Sequence, residues 1–395
     1  DDATERAEAA ATPRTGARGW RPMAAAAIEP RFQHLQVWTG TEVVVFGGYG
    51  DDGEPIGGGA AYNPTAGTWR TIADPPLRLT IADWTGSEVL ALTTDGELWD
   101  YDPADDDWRE LTTSPYDGED EIAGTIAVAG WTGSELVIAY TAAAADGRAP
   151  GDSAAYDPAT DTWRTLPGAP FDITFADAVW TGEQLVVAGD TGAGGSTYPR
   201  LELWALDPAA GRWTELPAPP LADVERRSHG FAVWTGTEVV IGGGHAAPEG
   251  AQALAEELRA EDRSSTEQEA GLLSATPRSD AAAYDPGAGT WRSLPPAPVP
   301  VDGLDRYGET WTGAEVLVWT ALENADPRSS DQAVLFDPVT GAWRVSELAV
   351  EGAHLDAPAT WTGSELVVWS GEVTATDANR NQCCVPSPIG STFTP

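Results

Sequence analysis

The chain of 395 residues carries 62 acidic and 22 basic side chains, a formal net charge of −40, and every basic residue is arginine. That balance argues against nucleic acid as a partner, because phosphate binding needs clustered positive charge, and against attraction to an anionic membrane surface. No apolar stretch reaches the length of a membrane span.

In chain order, residues 1–18 come first, rich in Ala, Glu, Thr and Arg without apolar periodicity, and read as a disordered leader. Because the sequence starts at Asp1 rather than Met, the expectation is a cleaved precursor and an extracytoplasmic protein, secreted or lipid-anchored. Gly19-Trp20-Arg21-Pro22 follows and matches the Trp-Arg-Thr-Leu-Pro that begins at Trp163. From there the tripeptide Trp-Thr-Gly recurs at Trp38, Trp84, Trp131, Trp180, Trp234, Trp311 and Trp361. Successive copies lie 46 to 54 residues apart, save the 77 that separate Trp234 from Trp311. That period is the repeat length of a four-stranded propeller blade, with one large insertion.

Within each repeat the residues leading into Trp-Thr-Gly, such as Phe231-Ala232-Val233, form a short apolar strand, and Thr-Gly makes a tight hairpin turn. The second strand is apolar on both faces, as in Glu42 to Phe46 or Glu238 to Ile241, which suits a sheet covered on each side. A third strand ends in an Asp-Pro or Asn-Pro turn, at Asn63, Asp102, Asp157, Asp207, Asp285 and Asp337, and a second Trp opens the outer strand. Six such turns accompany seven Trp-Thr-Gly signals. Trp20 completes the set, so the N-terminal segment is expected to supply the last strand of the seventh blade. The expected architecture is an all-β, seven-bladed propeller forming one domain over residues 19–395, with an insertion at 245–280 in the fifth blade. The 18 Trp and 43 Gly suit such a ring of flat packing groups and tight turns.

These residues resemble the kelch-repeat family of propellers. The likeness rests on the diglycines Gly47-Gly48 and Gly243-Gly244, the Tyr-Asp-Pro turns, the outer-strand Trp and Pro-rich exits such as Leu216 to Pro220. The second and third repeats depart from it, with Leu92-Thr93 and Ala139-Tyr140 in place of the diglycine. The resemblance implies a rigid ring, but no single activity, since the family holds protein-binding, carbohydrate-binding and enzymatic members.

Propeller geometry places the first-to-second and third-to-fourth turns on one face, and these are uniform. The second-to-third loops and the blade-to-blade connections lie on the other. There the loops vary in length, around residues 49–59, 141–153, 190–200, 245–280, 321–332 and 372–389, and variable loops on a rigid ring are where binding sits. On that face stand the candidate ligand-binding residues Arg31, His34, Arg78, Arg226, Arg227, His229, Arg306, Tyr307 and His354. Two readings stand for them: hydrogen-bond links between blades, or a positive funnel for a carboxylate or sulfate group on a sugar or an acidic peptide. The expected function is a monomeric module binding a glycan or protein ligand without a cofactor. The enzymatic alternative is a carbohydrate-active protein, lyase-like, in which His229, Tyr307 and Arg227 supply a base, an acid and a carboxylate clamp.

Other chemistries are weaker. A copper oxidase of the galactose oxidase kind would need two Tyr and two His with one Tyr cross-linked to Cys, and the two cysteines here are adjacent to each other instead. No close His or Cys spacing suggests zinc. Gly48-Tyr49-Gly50-Asp51-Asp52-Gly53 fits a dinucleotide fingerprint but no helix follows it to seat a phosphate. Asp100, Asp102, Asp105, Asp106 and Asp107 could ligate calcium, yet they coincide with the repeated turn. The stretch 248–269 shows a short helical stripe through Leu254 and Leu258. Cys383 and Cys384 are either two thiols or a vicinal disulfide, which would need a distorted peptide, since neighbouring Cα atoms sit ~3.8 Å apart and disulfides span ~4.4 to 6.8 Å.

Overall fold

A computed structural model describes residues 19–115, 126–140, 153–170, 174–191, 200–228, 230–249, 276–301, 306–320, 332–346, 357–376 and 382–395. Seven four-stranded antiparallel sheets form a ring. From the innermost strand outward, blade one holds Leu35–Trp38, Val43–Phe46, Gly59–Asn63 and Thr68–Ile72, and blade two Leu79–Trp84, Val89–Thr93, Leu98–Asp102 and Asp107–Glu110. Blade three holds Ile126–Trp131, Leu136–Tyr140, Ser153–Asp157 and Thr162–Leu166, and blade four Thr174–Trp180, Leu185–Thr191, Arg200–Asp207 and Arg212–Glu215. Blade five holds Phe231–Trp234, Val239–Gly242, Ala281–Asp285 and Thr290–Leu294, and blade six Arg306–Trp311, Val316–Thr320, Gln332–Asp337 and Ala342–Val345. Blade seven takes Ala359–Trp361, Leu366–Trp369 and Gly390–Thr394 from the C-terminal end and Gly19–Pro22 from the N-terminal end.

The Trp-Thr-Gly signal folds the same way in every blade. The Thr hydroxyl donates to the carbonyl three residues on, at 2.9–3.0 Å, and accepts from the same residue's N–H, while the glycine adopts φ between 88° and 107°. A side chain that both donates and accepts, followed by a residue free to take positive φ, closes the hairpin. In the Asp-Pro turn the Asp or Asn carboxyl or amide oxygen accepts a backbone N–H two or three residues ahead, as at Asn63, Asp102, Asp157, Asp207, Asp285 and Asp337. That role accounts for Asp102. Asp100 pairs with Arg109, and Asp106 accepts from Tyr101 Oη at 2.6 Å and from the Ala73 N–H at 3.1 Å. These aspartates are therefore engaged in the turn and its neighbours, and among the described residues no three of His, Cys, Asp or Glu converge as a metal-binding group.

The core is divided into seven clusters, one at each blade–blade junction. Alternation along a strand explains the apolar runs: Val43 and Val45 meet Val367 and Trp369 of blade seven, whereas Val44 and Phe46 meet Val89 and Ala91 of blade two. Outer-strand tryptophans tie blades together from outside. The indole N–H of Trp69, Trp108, Trp163, Trp213, Trp291 and Trp343 donates to a carbonyl of the preceding exit segment at 2.7–3.1 Å. Trp20 takes the seventh outer-strand tryptophan position, paired with Phe393 across the ladder and with its ring centroid 4.6 Å from that of Trp319 of blade six.

Lead-in segments and second-to-third loops share one face, joined by backbone hydrogen bonds from Gly371 N–H to the Arg31 carbonyl, Thr94 N–H to the Arg78 carbonyl and Gly244 N–H to the Val301 carbonyl. Two additions stand on that face. One is a small three-stranded sheet of Arg227–Ser228, His245–Ala246 and Thr276–Pro277, and the other a ribbon of Glu372–Thr376 with Gln382–Pro386. The leader 1–18, the helical stripe at 248–269 beyond Glu249 and most of the other long loops lie outside the described residues. No helix among the described residues is long and apolar enough to cross a membrane.

Candidate ligand-binding face

The chain leaves its second strand by two routes. In blades one, five and seven two consecutive residues take positive φ, at Gly47-Gly48, Gly243-Gly244 and Ser370-Gly371. In blades two, three, four and six the ladder between first and second strands instead shifts register near its start, at Leu79/Ile81, Ile126/Val128, Thr174/Asp177 and Arg306/Gly308. Gly48 has no alternative: a Cβ there would stand 2.7 Å from the Phe32 carbonyl oxygen and 2.9 Å from His34 Cβ.

Arg31 and Arg227 serve these glycine turns. Arg31 is 1% exposed and donates from Nη1 to the Gly47 and Gly58 carbonyls, each at 2.9 Å, from Nη2 to Gly57 at 3.2 Å and from Nε to Glu29 at 3.2 Å. Arg227 is fully buried and donates from Nε to the Gly243 carbonyl at 2.8 Å and from Nη1 to Asp280 Oδ1 at 2.8 Å. Burial pushes the Arg31 guanidinium down to about 10, and the same effect, opposed by Asp280, lowers that of Arg227. Arg31 therefore remains a cation at neutral pH, and both guanidinium groups have their donors turned to the scaffold, which leaves Arg227 poorly placed to clamp a substrate carboxylate.

His34 is buried too. Its ring lies edge-on to Trp369 at 5.4 Å, with Gln36 Nε2 3.3 Å from its Nε2, and Gln36 in turn donates to the Pro358 carbonyl at 2.7 Å. Burial, and then the charge of Arg31, push its pKa down to about 3, so the imidazole is neutral at the blade-one/blade-seven junction. Arg226 is held by Asp223 at 2.7 Å and by the Ala247 carbonyl, and Asp223 also binds Arg278. This cluster clasps the two roots of the fifth-blade insertion.

Arg78 differs from all of these. Its side chain is 61% exposed, with Asp95 at 4.0 Å as its ion-pair neighbour, and its backbone takes φ 61°. Next to it Leu77 is 53% exposed. In the adjoining lead-in, Gln33 is exposed at φ 51°, beside Phe32, whose ring stacks on Tyr49 at 5.8 Å. A Cβ at Gly47 would touch Leu79, so the glycine turn of blade one abuts the start of the innermost strand of blade two, next to Arg78. Two exposed non-glycine residues at positive φ on neighbouring connections are sparsely populated conformations, which cost about 1–3 kcal/mol each and cluster at binding sites.

His229 and His354 lie outside the described residues, and Arg306 and Tyr307 are described only as backbone of the innermost strand of blade six. The structure thus gathers Arg31 and His34 with Gln33, Phe32 and Tyr49 around blade one, and brings Arg226 and Arg227 together at blade five. Sequence reasoning passed over Gln33, Asp280 and Asp83. Asp83 is the one carboxylate directly before a Trp-Thr-Gly tryptophan, a signal visible in the repeats. Its Oδ2 accepts the Trp131 N–H of blade three at 2.8 Å, and burial raises its pKa. No family model matches the chain, and no curated protein matches it.

Proposed function

We propose that the protein is an extracytoplasmic, monomeric ligand-binding module of kelch-like build, needing no cofactor, whose elaborated face takes a carbohydrate or protein ligand. The observation that carries this reading is the sector formed by Gln33, Leu77 and Arg78 with the Phe32–Tyr49 stack. There an exposed guanidinium stands next to exposed Leu77, one connection along the ring from the Phe32–Tyr49 stack, on backbone at positive φ. Such a surface suits a sugar acid or an acidic peptide segment, whose carboxylate Arg78 can take in a bidentate pair. The sequence assigns His229, His354, Arg306 and Tyr307 to the same face, and the proposal includes them as candidates to extend that surface. The paired positive-φ residues after the second strand in three blades support the kelch-like description.

Binding to an immobilised glycan array, followed by product analysis on each hit, tests this. Arg78→Ala and Gln33→Gly are expected to weaken binding to a hit by at least about tenfold, or ~1.4 kcal/mol. Wild-type affinity in both variants would overturn the placement, and conversion of a hit to product would overturn the non-catalytic reading.

A further inference from the structure

The adjacent cysteines occupy a defined place. Gln382–Pro386 pairs with Glu372–Thr376 in five consecutive partners, among them Ala375 with Cys383 and Thr374 with Cys384. No register shift interrupts that ladder. The base of the ribbon is clamped on blade one, where Gly371 N–H donates to the Arg31 carbonyl at 3.0 Å, Arg31 N–H to Ser370 Oγ at 2.7 Å and Ser387 N–H to the Gly371 carbonyl at 2.7 Å. The ribbon is otherwise a two-stranded sheet by itself, and such a hairpin is only marginally stable in water.

We infer that Cys383 and Cys384 form a thiol–disulfide switch whose bridged form cannot coexist with the ribbon's ladder. A regular strand keeps both residues extended across a trans peptide, where Cα atoms sit ~3.8 Å apart. Successive strand residues face opposite sides of the ribbon, so two neighbouring sulfurs can bond only if the backbone between Cys383 and Cys384 leaves extended geometry, and the short Cα spacing strains a bridge that prefers ~4.4 to 6.8 Å. The two central partners of the ladder are then lost, and a marginal hairpin is divided while its root stays fixed to blade one.

The reacting partner is a low-molecular-weight disulfide of the glutathione type. One cysteine thiolate attacks it, breaking its S–S bond, forming a mixed disulfide and releasing one thiol. The second thiolate attacks the protein sulfur of the mixed disulfide, forming the vicinal bond and releasing a second thiol. Two protons leave the cysteines and appear on the released thiols, and two electrons pass from the protein dithiol to the small disulfide. Excess dithiol reverses both steps.

The inference is independent of what the elaborated face binds. The test uses the full chain, reduced with dithiothreitol or equilibrated with excess glutathione disulfide, with intact mass and amide hydrogen exchange read on each form. The oxidised monomer is expected to lose the mass of two hydrogens, and amides of 373–375 to exchange at least about tenfold faster than in the reduced form. Cys383→Ser should abolish both changes. Persistence of two thiols or stable glutathione adducts in the oxidant, a bridge that leaves exchange unaltered, or a ribbon unprotected even when reduced would each overturn the switch.

Discussion

Arg31 and Arg227 each stand seven residues ahead of an inner-strand tryptophan, Trp38 and Trp234, whereas Arg78 stands six ahead of Trp84. That single step separates a buried staple from an exposed cation. A buried carbonyl that loses its donor costs about 1–3 kcal/mol, and Arg31 supplies four carbonyls. Arg31→Met is therefore expected to lower the free energy of unfolding by at least ~2 kcal/mol, and Arg78→Met to change it by less than ~0.5 kcal/mol, in denaturant titrations. Equal effects would refute the division. His34 gives a pH signature of its own. Its folded pKa of about 3 lies below the ordinary value of 6.5, so the unfolded chain binds a proton that the folded chain refuses as pH falls between them. The stability that neutral His34 contributes is complete above pH ~6.5 and declines toward pH ~3. Half-buried Asp83 and Glu365 work the other way, since raised carboxyl values favour the folded state as pH falls. The informative quantity is thus the difference between wild type and His34→Asn, which should narrow on acidification; a difference independent of pH would contradict the burial.

At the scale of strands and turns, glycine positions divide by their surroundings. Gly40 and Gly48 share positive φ, at 89° and 84°, but a Cβ at Gly40 meets open space and one at Gly48 collides with the Phe32 carbonyl and His34. Gly40→Ala should cost about 1–2 kcal/mol from backbone conformation alone, and Gly48→Ala distinctly more, as read by the denaturant midpoint. Much of this level was legible in the sequence. Trp-Thr-Gly and Asp-Pro each encode their turn locally, so their repetition announced the blade. The repeats even carry their own exceptions: Glu42, Glu135, Glu238 and Glu315 pair with Arg70, Arg164, Arg292 and Arg344, and in blade four both partners are replaced, by Gln184 and Thr214. What remained hidden depends on register. Blades two, three, four and six take up the same bend through a ladder shift, as at Leu79/Ile81, and no residue type marks such a shift. The candidate site was legible as a face and not as residues. Arg31 and Arg227 look like ligand cations until the carbonyls of Gly47 and Gly243 are placed around them, although the spacing of seven together with a diglycine in the same blade was a usable sign.

At the scale of the ring, the described core is divided among seven junctions with no central cluster among the described residues, so each junction must be complete. Self-repulsion from a net charge of −40 works against compactness, which gives the closing junction added weight. Blade seven joins both ends of the described chain through Gly19–Thr394, Trp20–Phe393, Arg21–Thr392 and Pro22–Ser391, reinforced by the Met23 N–H to the Gly390 carbonyl at 2.9 Å. Trp20, half-buried, packs at the same time against the cluster between blades six and seven. Removing a core tryptophan costs about 3–5 kcal/mol, and removing its strand also bares the edge of Gly390–Thr394. The decisive measurement is the thermal unfolding of a chain beginning at Gly19 beside one beginning at Met23. The shorter chain is expected to melt well below the longer one, with its total tryptophan emission shifted toward that of exposed indoles; coincident melting curves would contradict the closed ring.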